Sequence, residues 1–442
     1  MTQKSIASAN NKPRVMVVGF GEDIHQALAQ VFTLVHIVAN SQLADTQWDD
    51  LYAFKLKGTS PTSMALNDGS YQYVVENYRR YADINSRRYI TINARESEIF
   101  NGFMYYFYWA HDVLTRKKPE LMVFHNLPHE SFDYVLYLIA KFFGIRTIVL
   151  HQCFLMSDRF WISESMETFG DFDAQPEINE RVSSNYKLPE NWYYMNDVSS
   201  KWLYTLRDFL KEIIMRPWRM PVAAMRFYYN RAYDVNRNKY IKEYDEKSRY
   251  IYFPLHLQPE LTTSAMGGID GRYGDQIQAL EQLSLLIPSD AVIYVKENPK
   301  QTAQQRDELF FTRLSLLPNV HLVSPATASR ELIRNSIGVA TITGTAGWEA
   351  LFYGKPCMIF GNAWYANFQG VTRFNSSLTF DDWMRNLPED NEVLINSLDN
   401  LLMKTGKGVV DPLHAVMVKD FESKSNGRNI ADSLESYLRL SK

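Results

Sequence analysis

Short apolar runs ending in glycine or small polar residues, each followed by a stretch of helical spacing, recur in two blocks of the chain. In the first block Arg14-Val-Met-Val-Val-Gly-Phe-Gly21 predicts a buried strand closing in a glycine turn, and Asp23 to Val31 predicts a helix. Leu121-Met-Val-Phe-His125 predicts another strand; after Asn126-Leu-Pro-His-Glu130 come a helix over Phe132 to Phe143, Gly144, and a strand over Thr147 to Leu150. This stretch has the size of a parallel β-α-β crossover, about 30 residues. Lys141, Gly144 and Arg146 interrupt the apolar run that starts at Tyr134, so it predicts a buried helix and strand rather than a membrane span.

The second block opens with Tyr250-Ile-Tyr-Phe and continues with a helix over Asp275 to Leu286, a strand over Ala291 to Lys296 and a helix over Arg306 to Leu316. His321-Leu-Val, Val339 to Thr343 and Pro356 to Phe360 predict further strands, separated by helices over Ala328 to Asn335 and Thr345 to Tyr353. Ile430 to Leu440 is amphipathic and predicts a closing helix. Between the blocks, 155–248 lacks β-α alternation and reads as mostly helical and aromatic. The expected architecture is therefore α/β, with two Rossmann-like halves facing one another across a cleft and a helical aromatic insert between them in sequence. The boundaries expected are 1–154 for an N-terminal acceptor domain and 155–248 for the insert, which joins that domain. A C-terminal donor domain follows at 249–385, then a helical closing segment at 386–442. The chain shows no internal period, which disfavours a solenoid.

Composition narrows the function. A length of 442 residues with 46% hydrophobic and 22% charged residues is ordinary globular material for two or more cores. The 47 Lys and Arg against 50 Asp and Glu give a net charge of -3, which leaves no overall field to hold a nucleic acid. Cys153 and Cys357 make neither a disulfide framework nor a four-cysteine zinc site and fit a reducing compartment. Met1 to Pro13 lacks the apolar stretch of a signal peptide, so a cytoplasmic protein is expected. Locally the balance differs: Lys201 to Tyr250 carries 12 Lys or Arg against 6 Asp or Glu, with Trp202, Trp218, Arg216, Arg219, Arg226 and Arg231 among them. Such a segment suits an anionic inner-membrane surface or a partner, or solvated helices with arginines snorkelling over an aromatic core.

Candidate chemistry gathers at the strand ends of the second block. Thr341-Ile-Thr-Gly-Thr-Ala-Gly-Trp-Glu349 takes a strand directly into a helix through small and hydroxylic residues. Unpaired backbone N–H groups at the helix start, the hydroxyls of Thr343 and Thr345, and close approach at Gly344, Ala346 and Gly347 suit a phosphate. Glu349 is placed to accept from ribose hydroxyls. The bland reading is a strand-to-helix turn with Thr345 as cap. The segment has neither Walker nor three-glycine dinucleotide spacing. Phe253-Pro-Leu-His-Leu-Gln-Pro-Glu260 brings His256, Gln258 and Glu260 to the next strand end, and Tyr294-Val-Lys-Glu-Asn-Pro299 brings Lys296 and Glu297 to a third. Three such ends converge on one pocket.

Those motifs in that order, together with Gly267-Gly268 and Asp275-Gln276, resemble the capsule polysaccharide biosynthesis family, which is itself similar to bacterial Kdo transferases of capsule assembly. The resemblance covers mainly 250–365, more weakly Leu127-Pro-His-Glu130, and departs at Asn298, where the family often carries His. It implies a two-domain GT-B glycosyltransferase without a metal or other cofactor. The implied co-substrate is a CMP-activated ulosonic or nonulosonic donor, Kdo-like or sialic-acid-like, and the acceptor a surface glycan or lipid-linked glycan. A base or nucleophile then belongs in the first block. Glu130 is the first candidate, Asp23 the second, and His129 the group that orients or contacts phosphate. His125, Asp133, Glu22 and His25 also follow strands, whereas His36, His111, His321 and His414 have no partner spacing and read as structural or exposed. The alternatives are a UDP-sugar transferase or 2-epimerase-like enzyme on the same fold, and a non-catalytic assembly component.

Overall fold

The computed structural model describes residues 12–56, 67–89, 95–179, 184, 186–189, 206–215, 217, 220–268, 271–303 and 306–441. Trp202, Trp218, Arg216 and Arg219 lie outside them, as does the side chain of Arg226. The chain forms two units, one of residues 1–184 and 399–442, the other of 185–398.

In the first unit β1 (Arg14–Val18), β2 (Thr33–Ala39), β3 (Thr46–Gln47), β4 (Leu121–Phe124) and β5 (Arg146–Gln152) are parallel, in the spatial order β3-β2-β1-β4-β5. The sequence Arg-Val-Met-Val-Val of β1 is apolar without alternation because a parallel sheet is covered on both faces. One face packs under α1 (Glu22–Val31), with Val15, Val17, Leu28, Val123 and Ile148 in the core. α2 (Glu96–Lys117) and α3 (Phe132–Phe142) pack on each other and bury Phe103, Phe107, Phe132 and Leu136. β6 (Arg159–Ser163) turns back antiparallel to β5.

The second unit is a parallel sheet of β7 (Tyr250–Pro254), β8 (Val292–Lys296), β9 (Val320–Val323), β10 (Gly338–Thr341), β11 (Cys357–Ile359) and β12 (Val371–Arg373). Its spatial order is β9-β8-β7-β10-β11-β12. α4 (Gln276–Leu286), α5 (Ser329–Asn335) and α6 (Thr345–Phe352) follow β7, β9 and β10 respectively. Both units thus have the dinucleotide-fold order 3-2-1-4-5-6, and the expectation of two Rossmann-like α/β halves stands.

The expected boundaries do not follow this division. The segment read as mostly helical contains β6 and contributes to both units, and of the expected closing segment 386–442 the part 399–442 returns to the first. Gly406–Lys407 pairs with β6, and α7 (Ser423–Leu440) lies on α1, with Ile430 and Leu434 in the first unit's core. The helices meet closely at Gly427, where an added Cβ would lie 2.7 Å from the carbonyl oxygen of Asp23. Gly427→Val is therefore expected to destabilise the first unit by about 1–3 kcal/mol through overpacking, measured by chemical denaturation.

Candidate functional site

In the second unit the chain fills β7, β8 and β9 to one side and then crosses to β10, β11 and β12 on the other, so the topological switch point lies between β7 and β10. Ligands of open α/β sheets bind beyond the carboxyl ends of the strands at such a point. Here His256 beyond β7 meets Thr341 at the end of β10, with Nε2 3.0 Å from Thr341 Oγ1. Two donors converge on this nitrogen. The Thr343 N–H donates to Nε2 at 3.3 Å, and Thr341 Oγ1, which accepts the Gly344 N–H at 3.1 Å, has its own proton free to donate there. Nε2 is an acceptor, so the ring proton sits on Nδ1, which has no partner among the described residues. Burial, aided by the Arg306 charge, lowers the His256 pKa to about 4 and keeps the ring neutral.

The Thr-Gly-Thr-Ala-Gly segment makes the turn predicted for it. Gly344 caps α6, and a Cβ there would lie 2.8 Å from Thr341 Oγ1 and 3.2 Å from His256 Nε2, so the turn can approach the histidine only with glycine. Thr345 and Ala346 open the helix with their backbone N–H groups in its first turn, while the Gly347 N–H bonds back to the Gly344 carbonyl at 3.0 Å. Thr343 Oγ1 donates to the Thr262 carbonyl at 3.2 Å, linking this turn to the short helix that Glu260 caps. Glu349 is buried one turn into α6, where its charge contributes to raising the phenol pKa values of Tyr186 and Tyr252, chiefly raised by burial.

Beside this cluster lies a second one that the sequence did not reveal. Arg306 is fully buried and directs its whole guanidinium at two strand-end loops: Nε donates to Glu297 Oε2 at 3.0 Å, one terminal nitrogen to Gln258 Oε1, and the other to the His256 carbonyl at 3.1 Å. Its flat face stacks on Phe310 at 4.2 Å. Gln258 also donates to the Gly274 carbonyl. Two more glutamines hold the backbone. Gln276 accepts from the His256 N–H at 2.8 Å and donates to the His256 carbonyl at 3.1 Å, and Gln301 does the same for Gln258 at 2.8 and 3.0 Å. Glu297 and Gln258, read in the sequence as ligand contacts, are thus engaged in holding the loops that carry His256 and Lys296. Asn298, the departure from the family pattern, accepts the Lys300 N–H on its side chain at 2.9 Å and so closes the turn after β8.

Lys296, paired in register with Pro254, donates to the Thr327 carbonyl at 2.6 Å and to Ser329 Oγ at 3.0 Å. Burial lowers its pKa to about 8. Two of its three N–H groups are used among the described residues.

In the first unit His129 and Glu130 share one loop held by Asp133, and Asp23 stands on a different element, in the first turn of α1. Asp133, in the first turn of α3, accepts the N–H of His129 at 3.1 Å and of Glu130 at 2.7 Å, wrapping the loop around its carboxylate. Ser131 closes the loop with φ at 75°, a left-handed value uncommon outside glycine. The His129 Nδ1–H donates to the Leu127 carbonyl at 2.7 Å, so Nε2 is the atom that faces Glu130 Oε1 at 3.4 Å, and this contact is attractive only with a proton on one of the two. Tyr52 donates to the other Glu130 oxygen at 2.7 Å. His151, at the end of β5, donates from Nδ1 to Asn126 Oδ1 at 2.7 Å, which leaves its Nε2 an acceptor with no partner among the described residues. The switch-point crevice between β1 and β4 is itself filled by His125, packed over Gly19 and against Phe20 and Trp48. Of the histidines read as structural, His36 bonds to Thr46 and His111 to Asp68.

Residues 208–406 match the model of the family described as Capsule polysaccharide biosynthesis protein. Among solved structures it is similar to Thermosulfurimonas dismutans KpsC, beta Kdo 2,7 transferase, at 11% identity over 75% of this chain and 89% of that one, with a TM-score of 0.32. The beta Kdo 2,4 transferase of the same KpsC is 12% identical over 65% and 81% of the two chains, with a TM-score of 0.31. Methanocaldococcus jannaschii UDP-GlcNAc 2-epimerase, in complex with UDP-GlcNAc and UDP, is 12% identical over 96% and 99%, with a TM-score of 0.24. No curated protein matches the chain. No helix among the described residues is long and apolar enough to cross a membrane.

Two outcomes follow from the buried groups. Arg306→Met leaves the Glu297 carboxylate buried and unpaired and is expected to cost about 3–5 kcal/mol in chemical denaturation, whereas Arg306→Met with Glu297→Leu recovers most of it. His256, His125 and His151 titrate at about 4, 4 and 3 when folded, against an ordinary value of 6.5. The unfolded chain therefore binds more protons below pH 6.5, and stability falls as pH drops from there towards 4. His256→Asn should lessen that fall, read from unfolding free energies at pH 7 and pH 5.

Proposed function

We propose that the protein is a glycosyltransferase that moves a CMP-activated ulosonic or nonulosonic sugar to a capsular or other surface polysaccharide acceptor. The observation that carries the reading is the His256–Thr341–Gly344 cluster at the switch point of the unit that holds the family segment. The CMP donor itself comes from the resemblance of the motifs over 250–365 to capsular Kdo transferases.

In this reading the Thr345 and Ala346 N–H groups, the His256 Nδ1–H and the remaining N–H of Lys296 receive the phosphate and its neighbouring oxygens, with Thr343, Gly347, Glu260 and Glu349 shaping the pocket. Gln258 and Glu297 act through Arg306 as positioning residues. The acceptor hydroxyl oxygen attacks the anomeric carbon, the bond from that carbon to the CMP phosphate oxygen breaks, and CMP leaves with the electron pair. The hydroxyl proton passes to Glu130, which Tyr52 and His129 hold in place. Asp23, on the first turn of α1, is the second candidate for that role.

Calorimetric titration with CMP, CDP, UDP and GDP tests the donor. Selective CMP binding is expected, weakened about ten- to a hundred-fold by Lys296→Ala through loss of a charged hydrogen bond and less by Thr345→Val. Lys296 loses its charge as pH rises through about 8, so wild-type affinity should fall above that pH while Lys296→Ala stays flat. Selective UDP binding would move the assignment to a UDP-sugar enzyme. Glu130→Gln is expected to lower CMP release from the donor about 10²–10⁴-fold with donor binding intact; unchanged turnover would remove Glu130 as the base.

A further inference from the structure

We propose that the helical pair Leu206–Met215 and Met220–Lys239 is a docking surface for a bilayer with anionic headgroups, seated on it through an exposed apolar face. The second helix has two apolar faces where a helix on a soluble core needs one. Ala223, Asn230, Tyr233 and Arg237, at helical spacing, form the inward face, and Tyr233 joins the second unit's core beside Ile251 and Phe311. On the opposite side Met220, Met225, Tyr228, Tyr229 and Val235 are exposed, Tyr228 at 68%. The first helix, which packs on the second, adds Leu210, Ile214 at 78% and Met215 at 69%. Scattered exposed apolar residues need no explanation, but half the circumference of one helix continued onto its neighbour does.

Charge selects the occupant. Residues 206–239 carry eight Lys or Arg against three Asp or Glu in a chain whose net charge is -3, and Lys211 and Arg231 are among the exposed positions. A second copy of the chain would bring two like-charged faces together, which repulsion opposes. A bilayer surface accepts both features at once, the apolar side chains entering the acyl boundary and the cations meeting anionic headgroups. The inference does not depend on the donor reading.

Co-flotation of the full chain with vesicles tests it. Binding is expected to vesicles of phosphatidylglycerol and phosphatidylcholine, roughly ten-fold weaker to phosphatidylcholine alone and at high salt. Ile214→Glu, Tyr228→Glu, or Lys211→Glu with Arg231→Glu should each weaken it about ten-fold while circular dichroism stays unchanged. Leu285→Glu, at a site 84% exposed on α4, should not. A wild-type chain that leaves every vesicle unbound overturns the proposal, as do variants that bind like wild type or an Ile214→Glu change that instead splits a dimer.

Discussion

The second unit's site depends on one buried cation. The Arg306 guanidinium touches the loop after β7 through the His256 carbonyl and Gln258, and the loop after β8 through Glu297. A lysine has no planar fork and could not bind three acceptors in these directions. The pair with Glu297 is costly to desolvate and is compensated by the geometry that satisfies it, so its value lies in fixing where the loops go. With those loops fixed, His256 reaches Thr341, Gly344 follows, and the start of α6 is aimed beyond the strand ends.

The two units share a strand order but use their switch points differently. In the first, His125 fills the crevice above Gly19; in the second, the crevice is bordered by His256 and the glycine turn. The first unit offers a loop folded around Asp133 that presents Glu130. The family match follows the same line, because 208–406 is almost wholly the second unit.

Much of this was legible in sequence. Uninterrupted apolar runs such as Val15 to Val18 and Tyr250 to Phe253 became parallel strands, because burial on both faces removes alternation. β6 was hidden among aromatics: Arg159-Phe-Trp-Ile-Ser is short and polar at both ends, and only the turn back from β5 makes it a strand. The strand-end motifs were visible, but their division into ligand-facing and loop-holding groups was not. Glu297 and Lys296 are adjacent in sequence, and whether each meets a ligand or a buried partner depends on Arg306 and Ser329, which pattern alone does not bring near. Gln276 was visible as half of Asp275-Gln276; its amide clamp on His256 was not, because backbone partners leave no trace in residue type.

The return of the chain to the first unit has a consequence for the order in which the protein is made. Residues 406–440 supply an edge strand and a covering helix to a core whose first strand is residues 14–18. The second unit is continuous and has all its parts once residue 398 has left the ribosome, whereas the first lacks this edge strand and the α7 side chains of its core until residue 440 has followed. Of the two units, the one whose translation begins first is thus the second to be completed, and for that interval its unfinished core is the part most in need of a chaperone.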